Sequence, residues 1–122
     1  MGPPRDRPVS NRRQRPESGA LLRLREKIDA LDRRIVALLN ERAELTIEVG
    51  HEKVALGRRA IRDAEREREV LLRVSIANEG PMPQADLIAI YRRLIAASRA
   101  LEAREREKLL TGGHDPAEPP GA

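Results

Sequence analysis

The sequence predicts an all-α protein of three helices with a very long first helix, assembled as an intertwined antiparallel homodimer. Three observations carry that expectation. Leu24, Ile28, Leu31, Ile35, Leu38, Leu45 and Val49 occupy positions spaced alternately four and three apart, with one position skipped between Leu38 and Leu45, the spacing of a packed helical seam. Apolar burial must come from Leu, Ile, Val and Ala, because the chain has one Tyr, no Phe and no Trp, which favours helices over aromatic-rich sheets. Four Pro- or Gly-bearing landmarks punctuate the 122 residues and leave three helical segments.

The landmarks are the Pro/Arg-rich start, "LGRR" around Gly57, "NEGPMP" at Asn78 to Pro83, and "TGGHDPAEPPGA" at the end. The first helix is expected from about Ala20 to Lys53, the second from about Arg62 to Ala77, and the third from about Gln84 to Lys108. A disordered basic arm over residues 1–18 and a disordered tail over 111–122 are expected to flank a helical domain spanning 19–110. A first helix of about 34 residues is about 50 Å long, whereas a compact domain of this size has a radius of gyration of about 13 Å. Two short helices cover only part of its apolar stripe, so a second copy packed antiparallel along the seam buries the rest.

Composition narrows the function. The chain has no Cys, which removes disulfides and thiolate metal sites and suits a reducing, cytoplasmic setting. His51 and His114 stand far apart without neighbouring ligands, so no metal and no cofactor is expected. The N-terminus lacks the apolar run of a signal peptide, and no segment reaches membrane-spanning length. The net charge is +4, of which residues 1–18 account for +3 through five Arg against Asp6 and Glu17. With acids interleaved among the remaining bases and no aromatic platform for stacking, nucleic acid is not the expected partner.

Two seam positions break the pattern. The step after Leu38 lands on Arg42, and four residues past Val49 stands Lys53. A fixed charge in a dry seam costs several kcal/mol, roughly, unless it is met. Glu41 and Glu44, one and two residues from Arg42, point away from its face, and Glu48 and Glu52 share that defect toward Lys53. An internal ion pair from within the helix therefore fails, and an anionic ligand or a snorkelling arrangement is left. Further polar groups border apolar stripes elsewhere: Asp63, Arg66 and Glu67 at i, i+3 and i+4 in "IRDAERER", and Ser98 and Glu102 at i and i+4 beside Leu94, Ile95 and Leu101. Together they describe a small polar pocket inside a helical bundle.

These segments carry a resemblance. "LREKIDALDRRIVALLNERAEL", "VGHEK", "IRDAERER" and "YRRLIAASRALE" resemble, in order and spacing, the all-helical class of chorismate mutase over about Leu21 to Glu105. The resemblance implies an intertwined three-helix dimer that converts chorismate to prephenate, an early step toward phenylalanine and tyrosine. It implies a substrate site of Arg25, Arg42, Lys53, Asp63, Arg66, Glu67, Ser98 and Glu102. The arginines would hold the two carboxylates, Lys53 would reach the ether oxygen, and the acids of the second helix would hold the ring hydroxyl. Arg42, Lys53 and Glu102 would carry the catalysis, and Glu102 helps only when protonated, since an ether oxygen accepts hydrogen bonds and donates none.

Arg25 and Lys53 are 28 residues apart, about 42 Å along one helix, so the site must be shared between two copies. Three alternatives remain open: an isochorismate-pyruvate lyase, an aminodeoxychorismate mutase on the same fold, and a non-catalytic helical dimerisation module. The basic arm could tether an acidic protein, and a separate pathway enzyme is a compatible partner.

Overall fold

The computed structural model of the protein describes residues 18–58 and 63–112. Helices α1 (Gly19–Ala55), α2 (Ala64–Ala77) and α3 (Gln84–Leu110) make up most of the described residues, with no strand among them. The all-α expectation holds, and the helix boundaries fall within about two residues of those read from the sequence. The expected basic arm and tail, except Ser18, Thr111 and Gly112, lie outside the described residues, as do Arg62 and His114.

Each boundary has a local cause. Ser18 Oγ accepts from the Leu21 amide at 3.1 Å, so one of the first-turn donors that no helical carbonyl can reach is satisfied. The end of α1 is closed by the Gly57 amide donating to Val54 O at 2.9 Å and the Arg58 amide to Lys53 O at 2.9 Å. That paired closure needs a left-handed residue, which Gly57 supplies at φ 72° without the Cβ penalty. Helix α2 begins after Asp63, whose carboxylate accepts from the Arg66 amide at 2.9 Å. Asp63 is thus a cap in extended conformation, and the expected start at about Arg62 moves to Ala64.

The chain divides into two compact units, Met1–Leu39 and Asn40–Ala122. In the first, the described part is the N-terminal stretch of α1. Its seam residues Leu24, Ile28, Leu31, Ile35 and Leu38 are each 49–58% exposed, a contiguous apolar stripe open to solvent.

In the second unit, α2 and α3 run antiparallel. Gln84 at the start of α3 donates to Ser75 O at 3.1 Å, while Glu67 near the start of α2 meets Arg99 further along α3. Asn78 organises the turn between them, donating to Met82 O at 3.0 Å and Gln84 Oε1 at 2.7 Å. The buried residues are Ile95 of α3 and Gly50 of α1. Gly50 packs against α3, where a Cβ would stand 3.4 Å from Glu102 Cγ, in ordinary van der Waals contact. That contact sets Glu102 against the α1 residues one turn away.

Candidate active site

Helix α3 is the hub of the second unit's polar interior, because three of its residues each meet a partner on another helix. Ser98 Oγ donates to Leu94 O at 3.0 Å, one turn back, which commits its proton and leaves its lone pairs to accept. It accepts from Arg42 Nη1 at 2.7 Å. Glu102 Oε1 accepts from Lys53 Nζ at 2.8 Å, with the two side chains only 12% and 11% exposed. Arg99 Nη1 donates to both oxygens of Glu67, at 3.0 and 3.1 Å.

The two cations that interrupt the α1 seam are therefore met from α3, across 56 and 49 residues of sequence. Spacing within α1 could not show this. The resemblance implies that Glu102 donates to an ether oxygen; here its Oε1 accepts from Lys53.

These residues border a cavity of about 420 Å³, within the ordinary range for small-molecule sites. Leu45, Val49, Val70 and Ile95 give it apolar walls. Among the described residues its charged lining consists of five cations, Arg42, Lys53, Arg58, Arg66 and Arg99, against three acids, Asp63, Glu67 and Glu102, a surplus of two positive charges. Such a surplus in a part-buried pocket favours an anion carrying two charges.

Of the eight residues predicted from the sequence, the cavity brings together Arg42, Lys53, Asp63, Arg66, Glu67, Ser98 and Glu102. Arg25 belongs to the first unit, is exposed, and is not among the lining residues. Within the set, the expected clustering of Asp63, Arg66 and Glu67 resolves into separate tasks. Asp63 caps α2 and lies 3.9 Å from Arg58. Arg66 turns along the helix to Glu69, at 2.9 Å. Glu67 faces Arg99.

Arg58 and Arg99 are lining residues that sequence reasoning missed. Arg99 had a faint signal, standing at i−3 from Glu102 and so on its broad face. Arg58 had none, since it follows the Gly57 turn, and its carbonyl is held by Arg106 Nη1 at 2.6 Å.

His51 is half exposed, with Nε2 3.6 Å from Glu105 Oε1; Lys108 Nζ lies 3.2 Å from Glu105 Oε2. The Lys108 hydrogen bond holds the Glu105 carboxyl below its ordinary value, burial opposes it, and the charge of Lys108 and the hydrogen bond to His51 add to the lowering. Among the described residues no group of three His, Cys, Asp or Glu could hold a metal ion. No helix among them is long and apolar enough to cross a membrane.

The profile of a family described as chorismate mutase type II matches residues 24–103. The chain belongs to the type II chorismate mutase family. Within that family it is similar to a bifunctional chorismate mutase/prephenate dehydratase of Escherichia coli (strain K12), 56% identical over 54 residues that cover 44% of this chain and 14% of the relative. The relative of the same description from Aquifex aeolicus (strain VF5) is 39% identical over 88 residues, covering 69% of this chain and 24% of the relative. The chain thus spans about a seventh to a quarter of the length of these curated relatives. A solved chorismate mutase (form II) from Thermus thermophilus is similar in fold, with a TM-score of 0.66 at 33% identity over 70% of this chain and 96% of that one.

Proposed function

We propose that this chain is a chorismate mutase, converting chorismate to prephenate in phenylalanine and tyrosine biosynthesis. The observation that carries the reading is the surplus of two positive charges among the described residues that line the cavity, which suits a dicarboxylate, in a chain of the type II chorismate mutase family. The reaction is a unimolecular rearrangement: one C–O bond of the enol ether breaks as one C–C bond forms, without net proton or electron transfer. The chain's contribution is positioning and charge. Holding the substrate's two arms together lowers the barrier by pre-organisation, and donors aimed at the ether oxygen stabilise the negative charge that grows there.

Arg42, held in place by Ser98, takes one carboxylate, and Arg66 and Arg25 complete the anion's surroundings. Lys53 is the donor to the ether oxygen. An ammonium carries three N–H groups, so it can hold Glu102 and still donate to substrate. Glu102 aims Lys53 through the 2.8 Å contact and adds a donor of its own when protonated. Glu67, with Asp63 beside it, accepts from the ring hydroxyl.

The site is shared between two copies. Seam residues exposed by about half in the single chain, from Leu24 to Val49, contribute roughly 1 kcal/mol each when a second copy covers them. Arg25 of that copy then adds a further cation at the edge of the cavity, which gives the intertwined antiparallel homodimer. The reaction takes place in the cytoplasm, consistent with a chain lacking Cys. The Escherichia coli and Aquifex aeolicus relatives join chorismate mutase and prephenate dehydratase in one chain, so a prephenate-consuming enzyme is the partner this reading expects.

Product analysis with chorismate, isochorismate and aminodeoxychorismate offered separately tests the assignment. Prephenate from chorismate, with little turnover of the other two, is the expected result. Pyruvate released from isochorismate at the greater rate would replace the assignment with a lyase.

A further inference from the structure

Arg58 lines the cavity from the position immediately after the Gly57 turn, and both polar groups of its backbone are held. Its amide donates to Lys53 O at 2.9 Å, and its carbonyl accepts from Arg106 Nη1 of α3 at 2.6 Å. The first bond belongs to the paired closure of α1, in which this position commonly carries an apolar side chain packed back on the last turn. Here the side chain is a guanidinium, tied through the backbone to Lys53, which lines the same cavity. A cation on a loop loses part of its binding strength to ordering; the backbone of this one is ordered before any ligand arrives.

The Arg58 side chain is half exposed, which puts it at the rim, and its Nη2 stands 3.9 Å from Asp63 Oδ2. That separation is beyond hydrogen-bond range, and the other oxygen, Asp63 Oδ1, accepts from the Arg66 amide. A guanidinium has five N–H donors, so the Asp63 contact leaves it able to bind an anion. We propose that Arg58 is a further substrate-binding residue, a rim cation that captures the dianion, and that Arg106 positions it by clamping its carbonyl. The proposal rests on the reading of the cavity as a chorismate site and deepens it. Arg106 is half-buried and not among the lining residues; it acts through Arg58. A rim charge attracts substrate and transition state alike, since both carry the two carboxylates, so it lowers KM and leaves kcat almost unchanged. Salt screens that attraction.

The experiment measures kcat and KM for chorismate at about 0.05 M and about 1 M salt, with the parent, Arg58→Ala, Arg106→Gln, Arg106→Lys and the double variant Arg58→Ala/Arg106→Gln. At the lower salt Arg58→Ala should raise KM about three- to tenfold, the scale of one part-exposed charge-assisted hydrogen bond, with kcat within about twofold of the parent's. At the higher salt, where the screening length is about 3 Å, the ratio of the two KM values should fall toward one. Arg106→Gln should raise KM by a smaller factor, and Arg106→Lys, which keeps charge and donors, should stay near the parent. In the Arg58→Ala background Arg106→Gln should add nothing, because the side chain it positions is gone. Arg104→Gln removes the same charge from an exposed position on α3 outside the lining, and should keep the parent's KM. If Arg58→Ala does not fold, judged by circular dichroism, Arg58→Gln replaces it as the neutral variant. An unchanged KM in the neutral variant, or an equal rise in Arg104→Gln, would overturn the proposal. A loss of kcat at constant KM would overturn it too, as would equal effects of Arg106→Gln with and without the Arg58 side chain. A folded parent that converts no chorismate would sink the chorismate reading, and this proposal with it.

Discussion

Replacing Lys53 by Met should destabilise the protein more than replacing Lys53 and Glu102 together. The two charges stand 2.8 Å apart at 11% and 12% exposure. At an effective dielectric of about 20 their attraction is about 6 kcal/mol, and several kcal/mol of desolvation per ion offset most of it. The intact pair therefore contributes little net stability. Deleting one partner is different, because Glu102 then keeps its desolvation cost without the ammonium. For a deeply buried pair that costs about 3–5 kcal/mol; the cavity beside Glu102 admits water, so about 1–3 kcal/mol is expected here. The double variant Lys53→Met/Glu102→Leu should recover at least half of that loss, roughly, giving a coupling of about 1 kcal/mol or more. Urea unfolding of the parent, both single variants and the double at one fixed protein concentration measures this, the fixed concentration being needed because the stability of the proposed dimer would vary with it. A double variant as unstable as the sum of the singles would refute the claim that α3 is what holds Lys53.

The same geometry makes three other outcomes testable. Arg25→Ala and Lys53→Ala should each be nearly inactive as purified proteins, yet regain activity when mixed under conditions of subunit exchange; a mixture that stays inactive despite confirmed exchange removes the shared site. Glu102→Gln keeps an oxygen for Lys53 and gains a permanent N–H donor, so its kcat/KM at neutral pH should match or exceed the parent's, and a fall beyond about tenfold would show that the carboxyl has another role. Glu105 has a folded-state value below its ordinary 4.5, set first by the Lys108 hydrogen bond. Its contribution to stability is thus present above the unfolded value and is lost as pH falls through the lower folded one. The melting temperature of Glu105→Gln should sit below the parent's at pH 7 and converge with it in that acid window; a constant offset would mean that charge is not the cause.

Much of the fold was legible because its causes are local. The three-four spacing of the α1 seam, the left-handed residue required at Gly57 and the Pro-bearing break after Asn78 are all properties of short stretches. The polar residues of the site were legible as anomalies, charges placed where a helix stripe should be apolar. Their pairings were not. Ser98 meets Arg42 and Glu102 meets Lys53 because α1 and α3 pack against each other, a relation no helical period encodes. Asp63 was read as part of a helical face because i, i+3 and i+4 spacing looks the same whether the first residue lies inside the helix or caps it. Arg99 escaped notice since its partner Glu67 lies on another helix.

If the cationic cavity rearranges chorismate by charge and shape alone, a time course of purified protein with chorismate in the presence of a metal chelator should show it. One prephenate should form per chorismate lost, far above the rate in buffer, and Lys53→Ala should reduce kcat/KM by at least about a hundredfold, as removal of a transition-state donor does. A folded, dimeric parent whose rate equals that of buffer, or a Lys53→Ala variant as active as the parent, would contradict it.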